Sequence, residues 1–449
     1  MTAPRLKLLR PLSGSPRIVN ASMPKWPSWF LLVWWVFTLE IVRIPGLDQA
    51  GSTASAVESG SLSRTLLVLT FGAVGASMLP MAVKRLDRAG WRLLTLLTAY
   101  LAWSALSFTW SEAPQLTVRR LLLAALLILG AFGLGAGYYG RSENARGILA
   151  RDLLLAGLVA GASTWISALS RGGVDALAGD WELVPVGVGT TIGFPMLLAA
   201  LVSVYGRHTS AVPAPFSSHR TLGVVLIGAL VTLVSLRKRV LLAVSLLATA
   251  TLSLVFHRSG ARRAMLVRLI AGISMIAIVG VLLGVDIAGS ATPIVTRGEQ
   301  ELDLETLTGR VPLWEELIDQ ASERPWTGVG FGAFWTPERM ANVEAAVGWP
   351  AVNAHNGFVD EVLATGLPGL VLLFGAWVAA IRALARRAGQ GDGFALLGAV
   401  WLGCFLLLNT TGTLTQFLFQ FPFYSALVLA FAAFTSDSAS HVSHSTAES

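Results

Sequence analysis

Apolar residues run through this chain in unbroken blocks of about twenty, parted by short polar joints. Blocks of that length match the ~30 Å hydrocarbon thickness of a bilayer. Backbone in lipid must close its own hydrogen bonds, so the blocks predict helices. They are continuous rather than alternating, which excludes barrel strands. The pattern predicts about twelve transmembrane helices, near residues 28–47, 62–83, 91–109, 117–139, 149–169, 185–205, 221–236, 240–256, 267–287, 356–381, 393–411 and 416–434. The two blocks flanking "LRKR" are short, which suits a tilted or re-entrant segment. No internal repeat stands out.

The polar joints are unequal. Most are short, but residues 288–355 form one large loop containing Trp314, Trp326, Trp335 and Trp349, an amphipathic segment and several turn signals. Long loops are either functional or disordered, and this composition favours an ordered lid at the membrane surface. The expected organisation is a basic tail (1–27), helices one to nine (28–287), the large loop (288–355), helices ten to twelve (356–434) and a disordered Ser/His/Ala-rich tail (435–449).

Composition agrees with an all-α polytopic membrane protein: 54% of residues are hydrophobic and 13% charged. The net charge of +7 raises the question of nucleic acid, but its distribution answers otherwise. Basic residues gather in the N-terminal tail and in the loops near 84–92, 141–151, 207–220, 258–268 and 382–387, while acidic residues concentrate on the opposite side. By the positive-inside rule both termini are cytoplasmic and the large loop faces outward, towards the periplasm or cell exterior. The first apolar block is not a signal peptide, being long, remote from the start and charged at Glu40 and Arg43. The single cysteine, Cys404, excludes an intrachain disulfide and a Cys-based metal framework.

Four features meet on the expected outer side. In "TGRVPLWEEL" (308–317), Thr308 can cap a helix and Pro312 falls in its first turn. Arg310 then lies beside free N–H groups, an anion-binding arrangement. Leu313, Trp314 and Leu317 share its face and are free to lie on lipid or on the spans; the bland alternative is a surface helix with a snorkelling arginine. In "SLRKRVLL" (235–242), Arg237, Lys238 and Arg239 place three cations against the topological trend, which a phosphate ligand would explain and a span count off by one would also explain. In "VNAHNGFVDEV" (352–362), His355 and Asn356 open a span that carries Asp360 and Glu361 in its first turns. A neutral histidine there can act as general base, Asn356 can cap the helix, and Gly366 and Gly369 would admit a neighbouring helix. Arg119 and Arg120 of "VRR" (118–120) suit either a pyrophosphate or snorkelling to the surface. The chain has no phosphate-binding loop, zinc helix or nucleophile elbow. The chemistry these residues suit is cation-assisted loss of a phosphate leaving group, with a histidine base and no metal.

With these stretches in order, the chain resembles the O-antigen ligase and polymerase superfamily of bacterial membrane proteins. The resemblance rests on the basic "SLRKRVLLA", on "TGRVPLWEELIDQASERPWTGVGFGAFW" (308–335) and on "AHNGFVDEVLATGLPGLVLL" (354–373). It covers about residues 180–430, and the first third only by topology. It implies a dozen helices with a large periplasmic loop, similar to the metal-independent membrane glycosyltransferase fold. It also implies inverting glycan transfer from an undecaprenyl-diphosphate carrier to a glycan or lipid acceptor hydroxyl, without a cofactor. Arg310 and His355 take the catalytic positions. The cation of the middle span falls within 237–239, where "RKR" lacks the family's small residue and Lys238 fits the spacing best. Arg119 and Arg120 would add diphosphate contacts, with Asn356, Asp360 and Trp314 in support. A secondary transporter or anion permease is the competing class, with "TIGFPM" (191–196) as its best feature, and an envelope-assembly scaffold is a third.

Overall fold

A computed structural model describes residues 26–38, 62–172, 188–235, 239–256, 310–410, 412 and 421–436. The regular elements among the described residues are helices, and an isolated bridge pairs Leu86 with Thr435. In chain order the α-helices are α1 (Trp26–Thr38), α2 (Leu62–Arg85), α3 (Arg88–Leu106), α4 (Pro114–Phe132), α5 (Glu143–Gly172), α6 (Val188–Thr209), α7 (His219–Ser235) and α8 (Arg239–Phe256). After the undescribed 257–309 come α9 (Arg310–Glu323), α10 (Pro337–Val347), α11 (Gly357–Gly389), α12 (Gly393–Leu408) and α13 (Phe421–Ala433). The span expected at 267–287, the first part of the large loop and Thr308 lie outside the described residues. So do Arg237, Lys238 and nearly all of the C-terminal tail.

By length and composition, Thr65–Arg85, Arg88–Trp110, Pro114–Arg141 and Gly357–Gly389 are apolar enough to cross a membrane. His219–Thr232, Val244–Phe256, Gly393–Leu408 and Phe421–Ala433 are shorter apolar helices. Leu69, Leu122, Val224, Ile227, Leu247 and Val371 are large apolar residues left exposed on these helices. Scattered on several outward faces, they suit a lipid solvent.

Small residues set the closest packing. A Cβ on Gly133 would meet the backbone of Gly75, so α2 and the end of α4 touch main chain to main chain. There α4 loosens into a π-turn over Gly133–Tyr138, then a short 3₁₀ turn over Tyr139–Arg141. The predicted block 117–139 is thus one continuous helical run with a changed winding.

One end of the bundle gathers most of the joints expected on the cytoplasmic side. Asp87 caps α3 by accepting from Gly90 N at 2.8 Å and pairs with Arg387. Arg387 also donates to the carbonyl of Ala433. Arg146 donates from Nε to Ala432 O and from Nη2 to Thr435 Oγ1, both at 3.2 Å. Thr435, the first residue of the predicted disordered tail, is therefore buried and bonded. The other end carries the second half of the large loop, residues 310–356.

Candidate functional site

The large loop is folded where it is described, as two helices and a turn. On α9, Leu313 and Leu317 are fully buried. They do not lie on lipid. They form a small core of their own with Val329, Phe334, Trp335, Val343, Val359 and Leu363. Helix α10 starts at the Thr336 cap, with Pro337 in its first position, and ends at the left-handed Gly348. Glu112, in the α3–α4 connection, ties the lid together by pairing with Arg324 at 3.1 Å and Arg339 at 2.6 Å.

Helix α11 is broken where it meets the lid. Gly366 has φ 70° and ψ −175°, outside any helical region, and Pro368 follows. Proline has no N–H, and the break frees further backbone groups. The lid segment 325–330 satisfies them. Val329 N donates to Leu363 O at 2.9 Å, Gly330 N to Ala364 O at 3.0 Å, and Leu367 N to Pro325 O at 2.8 Å. A Cβ on Gly366 would sit 2.5 Å from the carbonyl carbon of Trp326. Gly366 thus admits the lid backbone rather than a helix, whereas Gly369 does face Trp103 of α3. The upper piece of α11 is pinned from the side by buried Glu361, which accepts from Tyr100 Oη at 3.1 Å and Thr365 Oγ1 at 2.6 Å. Trp103 Nε1 reaches Thr365 O at 2.8 Å.

His355 lies at the tip of this piece, in a tightly held turn. Its φ is +49°, a left-handed conformation in which histidine is over-represented among non-glycine residues. Several neighbouring polar groups hold it. Trp314 Nε1 donates to Ala354 O at 2.7 Å. Ala354 N donates to both oxygens of Asp360, each at 3.2 Å. His355 N donates to Asn353 Oδ1 at 2.9 Å. Asn356 Oδ1 caps α11 by accepting from Phe358 N and Val359 N. Asp360 also accepts from Trp335 Nε1 at 2.7 Å. Trp314, Asn356 and Asp360 therefore shape the turn that presents His355.

The charge of Arg310, the first residue of α9, reaches His355. Burial lowers the pKa of the His355 imidazole, and the Arg310 charge pushes it the same way. Burial also lowers the pKa of Arg310 itself. A half-buried, neutral imidazole beside a cation suits proton abstraction next to a developing negative charge.

The remaining cations divide. Arg120 donates from Nη1 to the carbonyl of Gly332, so it binds the lid. Arg119 is its half-buried neighbour on α4. Arg239 begins α8, while Arg237 and Lys238 lie outside the described residues. Sequence reasoning did not reach the bond from Trp335 to Asp360, Tyr100 or the lid bonds to α11. The "GLPG" at 366–369 signals a helix break, but inside an apolar block it reads as a packing motif. Nothing in the sequence pairs Tyr100 with Glu361.

Comparisons with known proteins give two matches. A 74-residue stretch is 42% identical to the exopolysaccharide production protein ExoQ of Rhizobium meliloti (strain 1021). That match covers 15% of this chain and 17% of the relative's own length. Residues 222–374 match the family profile described as O-antigen ligase. The matched region, about a third of the chain, runs from α7 through the lid and past the break in α11 and contains Arg310 and His355, so this part of the chain is similar to the O-antigen ligase family.

Proposed function

We propose that the protein is an inverting glycosyltransferase of polysaccharide biosynthesis. It takes a saccharide from an undecaprenyl-diphosphate carrier and joins it to an acceptor hydroxyl at the outer face of the cytoplasmic membrane, with both termini inside and about twelve spans. The observation that carries this reading is the turn, fixed by Asp360 and Trp314, that holds a half-buried His355 within reach of the Arg310 charge. In the step, His355 takes the proton of the acceptor hydroxyl. The oxygen attacks the anomeric carbon from the face opposite the carrier. The bond from that carbon to the phosphate oxygen breaks, and undecaprenyl diphosphate leaves. Arg310, with cations of 237–239 and Arg119, stabilises the charge that gathers on the leaving diphosphate. Arg120 holds the lid over it.

Transport is the second class to weigh, since broken helices often line transporter sites. Here the freed backbone groups of Leu363, Ala364 and Leu367 are taken by the lid, leaving them unavailable to a substrate ion. The carbonyl of Pro195 in "TIGFPM" faces Gly157 of α5 closely, at 2.7 Å from its would-be Cβ.

The test is transfer in proteoliposomes carrying an undecaprenyl-diphosphate oligosaccharide, with EDTA present, comparing wild type with His355→Ala. The reading expects product from wild type only, and product size separates ligation from polymerisation. Wild-type protein that turns over no donor with any acceptor defeats it.

A further inference from the structure

Three indoles belong to the lid core around His355, and two of them are satisfied. Trp314 donates to Ala354 O and Trp335 to Asp360, both at 2.7 Å. The third, Trp349, is different. Its ring centroid lies 5.8 Å from that of His355, with the planes tilted by 38°. Its Nε1–H is buried and has no hydrogen-bond partner in the structure. Buried indole N–H groups normally find one, because leaving a donor unsatisfied is costly. A second such donor lies on the residue after His355: Asn356 is fully buried, its Oδ1 caps α11, and its Nδ2 has no partner.

The backbone holds Trp349 firmly. Gly348 takes φ +82° and donates to Glu344 O at 2.8 Å, closing α10, and Pro350 follows. The indole is half-buried against the lid core. A rigid aromatic face, an unused N–H and a neighbouring base form a recognisable combination. A pyranose has an apolar C–H face for the ring and a rim of oxygens to accept from N–H groups. A phosphate, by contrast, calls for cations.

We propose that Trp349 is the platform of a saccharide subsite beside His355. It takes a pyranose ring of the acceptor against its indole face and donates Nε1–H to one of that sugar's oxygens. This rests on the glycosyltransferase reading above, which supplies the acceptor sugar. The subsite explains how a hydroxyl is presented to His355 rather than merely lying near it. Trp349 is a binding residue here, and the proton transfer remains with His355.

The experiment separates the subsite from the reaction. Full-length protein in lipid nanodiscs is titrated with two soluble neutral disaccharides, lactose and cellobiose, by saturation-transfer NMR. Wild type, Trp349→Phe and Trp349→Ala are compared, the phenylalanine variant keeping a ring while losing the N–H. Saturable binding by wild type is expected. It should weaken about threefold to tenfold in Trp349→Phe, the range of one net hydrogen bond, and further in Trp349→Ala. Equal binding by all three proteins, or no saturable binding by wild type, overturns the subsite. The transfer assay distinguishes the two failures. If transfer depends on His355 but the acceptor KM is unchanged in Trp349→Ala, the subsite falls and the reaction stands. If sugar binding depends on Trp349 while His355→Ala still transfers, the assigned base falls and the subsite stands.

Discussion

Replacing Gly366 with alanine adds one methyl group at the point where α11 and the lid meet. The backbone there has φ 70° and ψ −175°, a region essentially restricted to glycine. Holding an alanine in it costs about 1–3 kcal/mol. The new Cβ would also fall 2.5 Å from Trp326 C, 2.6 Å from Trp326 O and 2.7 Å from Thr327 N. These are backbone atoms, so no side chain can swing away, and the lid must lift. Lifting removes three hydrogen bonds, from Val329, Gly330 and Leu367, worth about 0.5–1.5 kcal/mol each in net terms. The chain takes the cheaper mixture of strain and release, so the closed lid loses roughly 3 kcal/mol relative to an open one. That is about a hundredfold in population. Transfer in proteoliposomes should fall by up to that factor, and the 324–336 segment should become sensitive to added protease. Gly375 is the control, because it lies on the same helix and a Cβ there meets nothing within 4 Å. Gly375→Ala should transfer normally. Normal transfer and protease resistance in Gly366→Ala would refute the idea that the lid completes α11.

The remaining predictions concern the His355 turn. Asp360→Asn keeps the size of the side chain but turns an amide N–H₂ towards Ala354 N or Trp335 Nε1, and a stranded buried donor costs about 1–3 kcal/mol; a lower kcat without a matching loss of membrane expression checks it. His355→Gln and Arg310→Ala should each nearly abolish transfer, with removal of one preorganised charge contact worth about 2.7–4 kcal/mol of barrier; normal product from either variant removes that residue from the site. The pKa of His355 is lowered by burial and then by Arg310, so the imidazole is neutral at neutral pH and kcat/KM should fall only as the pH drops through a value below the ordinary 6.5. An acid limb above 6.5 in the pH–rate profile would contradict the environment described for it.

The parts of the fold that read directly from sequence are those controlled by solvent. Continuous apolar blocks marked α2, α3, α7, α8 and α12 to within a few residues, because lipid leaves a helix no other way to satisfy its backbone. The cap at Asn356 is equally legible, since capping is local chemistry. What could not be read depends on partners distant in the chain. The block 356–381 looks continuous because Leu367 and Pro368 are apolar, whereas the break at Gly366 is stable only with residues 325–330 beside it. Leu313 and Leu317 have the same hydrophobicity whether they face lipid or Val343, and only the folded lid decides between them. Arg310 and His355 are both readable as candidate chemistry, but that the charge of one acts on the other is not, as 44 residues and a second small core lie between them.

The break in α11 also bears on how the protein is made. A helix entering the bilayer normally carries its hydrogen bonds with it, complete from the moment it forms. The upper part of α11 does not, because Leu363, Ala364 and Leu367 rely on a strand of chain synthesised some thirty-five residues earlier. Chain order resolves the difficulty: the lid has already been made when the broken helix emerges, and the helix is finished by docking onto it. Insertion of α11 and closure of the lid are then a single assembly event, and a lid that cannot dock leaves a membrane helix with exposed peptide groups for quality control to find.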